Sequence, residues 1–123
     1  MSIRSGYQAD FLSPYSILLP SPNLALAGDV LQPPNLPAGE TVIPYVHYSL
    51  VMSKSNKQAL YSAANVDNAK GQLISGSKGR KWFIDQHVGF DNQISNFAYR
   101  QSPWDRGHLT RRTAVTWAIT LQL

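Results

Sequence analysis

The chain has 123 residues, 43% of them hydrophobic and 15% charged, with a formal net charge of +4. That length allows one domain able to bury roughly two-thirds of the surface its unfolded form exposes, and excludes two full domains. Cysteine is absent, so disulfides, thiolate nucleophiles and cysteine-bound zinc or iron are excluded. No apolar run is long enough to cross a bilayer, and Met1 to Gly6 lacks the apolar core of a secretory signal. The expectation is a soluble chain with no membrane partner and no export address.

The charge is unevenly spread. Residues 1–53 carry Arg4 against Asp10, Asp29 and Glu40, whereas residues 54–123 carry ten Lys and Arg against four Asp, a local net charge of +6. With a pI near 9.6, the second half suits a polyanion, because each neutralised phosphate releases condensed counterions. A solvated basic surface is the alternative.

Seven of the eight prolines lie within the first 44 residues. Each fixes φ and removes a backbone donor, which predicts an extended Pro-rich arm over 1–44 that covers the core, and a sheet core over 45–123. Val46 to Met52 is β-branched and aromatic and reads as a strand. After a polar turn of about five residues, Gln58 to Val66 reads as its antiparallel partner. Asp67 to Gly79 is loop chemistry, Lys81 to Ile84 a short third strand, and Asn92 to Tyr99 one or two helical turns before Pro103. From Ala114 to Leu123 apolar and polar residues alternate, the pattern of a half-buried strand. Its apolar end pairs inside the fold, pairs with another chain in a homo-oligomer, or marks a cut polypeptide. The fold class is therefore α+β, centred on an antiparallel sheet.

The densest polar cluster is Asp105-Arg106-Gly107-His108, followed by Leu109-Thr110-Arg111-Arg112. A histidine can take a proton near neutral pH, a guanidinium fork matches phosphate oxygens, and glycine lets the backbone approach a ligand. His47, among apolar neighbours, and His87 read as structural, and the three histidines show no metal-ligand spacing. Trp104, beside the cluster, is a candidate for base contact, and Lys78, Arg111 and Arg112 are candidates for phosphate contact.

The segment Ser102-Pro103-Trp104-Asp105-Arg106-Gly107-His108-Leu109 resembles the signature of the DNA/RNA non-specific endonuclease family, built on a ββα-metal active site. Gly6-Tyr7, Phe11-Leu12 and Leu19-Pro20 resemble its lead-in. Tyr48 to Ser55 and Ala59 to Asp67 resemble its first hairpin, and Arg80-Lys81-Trp82 its arginine-bearing strand. The resemblance implies a portion of a ββα-metal nuclease fold that hydrolyses phosphodiester bonds in DNA and RNA. His108 is then the general base, an imidazole of ordinary pKa about 6.5 suiting that task. Arg106 and Arg80 are the phosphate's cationic partners, Gly107 allows a close turn, Asp105 fixes the local geometry or orients the histidine, and a single divalent ion, Mg²⁺, stabilises the leaving 3′ oxygen.

One departure limits that implication. The family's metal-binding asparagine lies on a later helix, and no Asn follows His108. Asn92 and Asn96 precede the signature and do not align with that ligand, so the metal ligand is unknown. The expected object is the first half to two-thirds of a nuclease: a shortened chain, the product of an interrupted gene, or a piece completed by another chain. The alternatives are a catalytically silent nucleic-acid binder and an assembly module. The compartment is open, since relatives with this signature can be exported.

Overall fold

The computed structural model describes residues 4–70 and 81–118. Its centre is a three-stranded antiparallel sheet in the order β1 (Ile43–Pro44), β2 (Tyr48–Met52), β3 (Ala59–Ala64). The hairpin read from the sequence is present: Tyr48 pairs with Ala64, Leu50 with Ser62 and Val51 with Tyr61. A register shift between Val51 and Met52 brings Met52 opposite Ala59 and leaves Leu60 as an extra residue. Around the sheet are two single-turn α-helices, α1 (Leu24–Ala27) and α2 (Asn96–Tyr99), and 3-10 turns at Asn68–Lys70, Phe90–Asn92 and Arg112–Ala114. This arrangement is compatible with an α+β nuclease portion. Among the described residues no helix is long and apolar enough to cross a membrane.

β2 is buried from Ser49 to Met52 because it lies between two strands and is covered on both faces. Leu50 and Met52 pack with Leu31, Ile43 and Val88, and Tyr45, Tyr48, Leu36 and Ala59 close around them. On alternate positions, Ser49 meets the N-terminal segment, where Tyr7 N–H donates to Ser49 Oγ at 2.8 Å and Gly6 N–H to Tyr45 O at 2.7 Å. Gly6 is needed there. Its φ is +70°, and an added Cβ would lie 2.9 Å from Ser49 Oγ and 3.2 Å from Pro44 Cβ.

The segment 1–44 does more than cover the core. Leu31, Pro33 and Ile43 are buried within it, and Ile43 begins β1. Leu31 N–H donates to Met52 O at 2.8 Å, Val30 bridges Ser53, and the Asp29 carboxylate accepts from the Ser53 hydroxyl and from both the N–H and the hydroxyl of Ser55, each at 2.9 Å. These bonds hold the carboxyl of Asp29 below its ordinary pKa, the Ser53 hydroxyl contributing most.

Two expected strands are not seen among the described residues. Among the described residues Lys81 to Ile84 has no ladder partner, and side chains meet backbone groups in and just after it. Gln93 accepts from Asp85 N–H at 2.9 Å and donates to Asp85 O at 2.7 Å, and Asn96 Nδ2 donates to Trp82 O at 3.3 Å. The third strand is β1 instead. The alternating tail from Ala114 turns rather than extends: Arg112–Ala114 is a 3-10 turn and Ala118 has φ +52°. Residues 119–123 of that expected strand lie outside the described residues. The helical turns expected over Asn92 to Tyr99 appear as the Phe90–Asn92 turn and α2, which ends ahead of Pro103.

Candidate functional site

The Asp105-Arg106-Gly107-His108 segment runs over the surface as irregular chain between α2 and the Arg112–Ala114 turn. Two ties hold it down. Arg106 Nη1 donates to Asn96 Oδ1 at 2.6 Å on α2, and Thr110 Oγ1 donates to Ser62 Oγ at 3.1 Å on β3. Between them His108 is exposed, its ring 4.8 Å from the Trp82 ring and tilted by 43°. Arg106 also lies over Trp82, at 5.7 Å, and over Tyr99 at 5.8 Å. Trp82 thus contacts both the imidazole and the guanidinium of the signature.

His108 opens onto a cleft of about 410 Å³ that also takes in Arg4, Tyr45, Tyr48, Thr110 and Arg112. Its floor is aromatic: Tyr45 and Tyr48 stack at 4.7 Å and 7°, and the Arg4 guanidinium sits 4.4 Å above the Tyr45 ring. Burial pushes both phenols above their ordinary pKa, and Tyr45 is raised further by its hydrogen bond to Asp85. Both therefore stay neutral hydroxyls at working pH. The far wall, Val115 and Thr116, is set by Trp117. Its indole stacks on His47 at 3.4 Å, lies 5.4 Å from Phe11 and donates to Asn65 O at 2.9 Å, while His47 Nε2 bonds Trp117 O at 2.9 Å. His47 is accordingly a packing residue.

The predicted residues divide. The structure brings His108 and Arg112 into one cleft, with Arg106 joined to them through Trp82. Arg111 and Trp104 are exposed outside the cleft, Trp104 at 74%. Asp105 is exposed and, among the described residues, makes no hydrogen bond to His108, so orienting the ring falls to Trp82 packing. Gly107 has no positive φ, and a Cβ there would meet nothing within 4 Å, so the backbone does not demand glycine for a turn. Arg80 and Lys78 lie outside the described residues. Most of the cleft lining was not singled out from sequence, including Arg4, Tyr45, Tyr48 and Thr110. Thr110 follows the signature by two positions, a signal that was available; Arg4 lies more than a hundred residues away and gave none.

No group of three or more His, Asp or Glu suited to a metal occurs among the described residues. The cleft residues do not fit a divalent cation. Among the described residues the cleft's side chains supply hydroxyls, two guanidiniums and the single imidazole of His108, without a carboxylate or amide oxygen. Asn96 Oδ1 is occupied by Arg106, and Asn92 Nδ2 donates to Val88 O at 3.0 Å.

An exposed imidazole and guanidiniums around one open cleft are the equipment of a protein that handles phosphate esters. The chain belongs to the DNA/RNA non-specific endonuclease family, whose sequence model matches residues 27–122. The match includes the hairpin and the signature, while the lead-in over residues 6–20 lies ahead of it. Comparison with curated proteins finds no match, and comparison with solved structures finds none either. Family membership makes the chain a nuclease in general terms.

Proposed function

We propose that this chain carries the base and the phosphate-binding half of a phosphodiesterase site acting on DNA and RNA with little sequence preference. The supporting observation is His108, solvent-exposed on a cleft it shares with Arg112 and Arg4. A ring nitrogen of His108 takes the proton of a water attacking phosphorus, and the guanidiniums meet the charge that builds on the phosphoryl oxygens. Arg106, steered by Asn96 and Trp82, is the signature's own guanidinium, and Arg80, from the preceding segment, a further one. Contacts confined to phosphates position a strand without reading its bases, which suits broad specificity.

Family members generally use a divalent metal, which when bound neutralises the leaving oxygen. Mg²⁺ is the ion we propose for any full site. Because the cleft residues do not fit it, the steps above are those of protein groups alone. The same donor chemistry favours a second reading, a chain that binds nucleic acid and cuts poorly by itself. Plasmid nicking by the chain with added Mg²⁺, compared with His108→Ala, separates them. Nicking that disappears in the variant while binding persists supports the base assignment. A variant that cuts as fast as the parent refutes it, and a parent that binds in a salt-sensitive way without cutting selects the second reading.

A further inference from the structure

Arg4 is far from the signature in sequence and faces the same cleft. Its Nε donates to Pro44 O at 2.7 Å, its Nη1 meets His87 Nε2, and its guanidinium lies over Tyr45. His87 is held in turn: its Nδ1 lies 3.1 Å from Asp85 Oδ1, and its backbone N–H donates to that same oxygen at 2.9 Å. That arrangement fixes the ring with Nδ1–H toward the carboxylate and the Nε2 lone pair toward Arg4. The guanidinium is thereby aimed by three groups on two separate segments, while Nη2 is shielded and has no acceptor among the described residues. A guanidinium serving only as a brace would have its donors met, since an unmet buried donor opposes folding.

We infer that Arg4 is a phosphate-binding residue of the His108 cleft, supplying from the N-terminal segment a cation that the signature does not encode. The inference rests on reading the cleft as a phosphate-ester site and goes beyond it in naming this residue. With Arg112 in the same lining, Arg4 gives the cleft a second guanidinium for an entering phosphodiester. A phosphoryl oxygen entering beside the held guanidinium becomes the acceptor that Nη2 lacks.

The test is binding of a short single-stranded DNA oligonucleotide to the whole chain, read by fluorescence anisotropy across a salt series. Arg4→Gln lowers the slope of log K against log salt by about 0.7, the loss of one single-strand phosphate contact. Arg4→Lys, which keeps the charge, retains the parent slope. A folded Arg4→Gln chain with lower thermal stability and the parent slope makes Arg4 a brace and overturns the inference. Should Arg4→Gln fail to fold, arginine-specific labelling of the parent by phenylglyoxal decides: the oligonucleotide protects Arg4, and unchanged labelling overturns the assignment. The two readings fail separately. If His108→Ala cuts like the parent but Arg4→Gln loses slope, the hydrolytic role falls and the phosphate contact stands; if His108→Ala abolishes cutting but the slope is unmoved, only the Arg4 assignment falls.

Discussion

Trp117 is the residue through which the tail after the signature is fastened to the hairpin, and its removal has a calculable cost. Two substitutions divide that cost. Trp117→Phe keeps a ring against His47 and Phe11 but deletes the indole N–H that meets Asn65 O. Asn65 is buried, at 7% exposure, so its carbonyl is left without that donor, a loss of about 1–3 kcal/mol. Trp117→Ala also removes two aromatic contacts, each worth about 0.5–1.5 kcal/mol, and the apolar area beneath them. The total reaches about 3–5 kcal/mol, a large share of the 5–15 kcal/mol that holds a domain together. Urea unfolding followed by far-ultraviolet circular dichroism gives the midpoints, and an unchanged m-value shows that stability alone has moved. Because Val115 and Thr116 wall the cleft, Trp117→Ala should also weaken oligonucleotide binding. If Trp117→Ala costs less than about 1 kcal/mol, or no more than Trp117→Phe, the tail is not fastened as described.

Other expectations follow from single contacts. Gly6→Ala forces a Cβ against Ser49 Oγ at a φ of +70° and should destabilise by about 1–3 kcal/mol, visible as a lower melting temperature. Gly107→Ala meets no neighbour and should leave the melting temperature within the change of about 0.5 kcal/mol usual for surface sites; a drop in oligonucleotide affinity would then mark close approach of ligand to backbone. Asp29 has its carboxyl pKa lowered by Ser53 and Ser55, so its stabilising effect is fully present above the unfolded carboxylate value of about 3.9 and disappears as pH falls through the folded value. Urea midpoints at pH 6 and pH 3 should therefore differ more in the parent than in Asp29→Asn. Ile43→Ala, at 1% exposure, should cost about 2–5 kcal/mol and show that the Pro-rich segment belongs to the core.

What the sequence made legible was local. The runs from Val46 and from Gln58 carry β-branched and aromatic residues separated by a polar turn, and they pair as read. The signature stood out as a cluster of charged residues and glycine, and His108 and Arg112 share a cleft. The failures came where tertiary partners overrode local preference. Lys81 to Ile84 has strand composition, yet Asn96 meets Trp82 O within it and Gln93 meets both backbone groups of Asp85 just after it. The alternation after Ala114 signals a strand only if the backbone stays extended, and the Arg112–Ala114 turn with Ala118 at positive φ breaks it. Prolines correctly exclude long elements before residue 44, but they say nothing about burial, and Leu31, Pro33 and Ile43 lie inside. Arg4 was invisible for a similar reason, since only folding brings it to His108.

The most direct test of His108 as the base is chemical rescue on plasmid DNA with Mg²⁺ present. The cleft, at about 410 Å³, is large enough to admit free imidazole where the side chain has been cut away. In this account His108→Ala loses nicking and regains it as imidazole is added, while Arg106→Ala, which keeps the base, gains nothing. Imidazole that restores neither variant, or a His108→Ala chain that nicks at the parent rate without it, would contradict the claim.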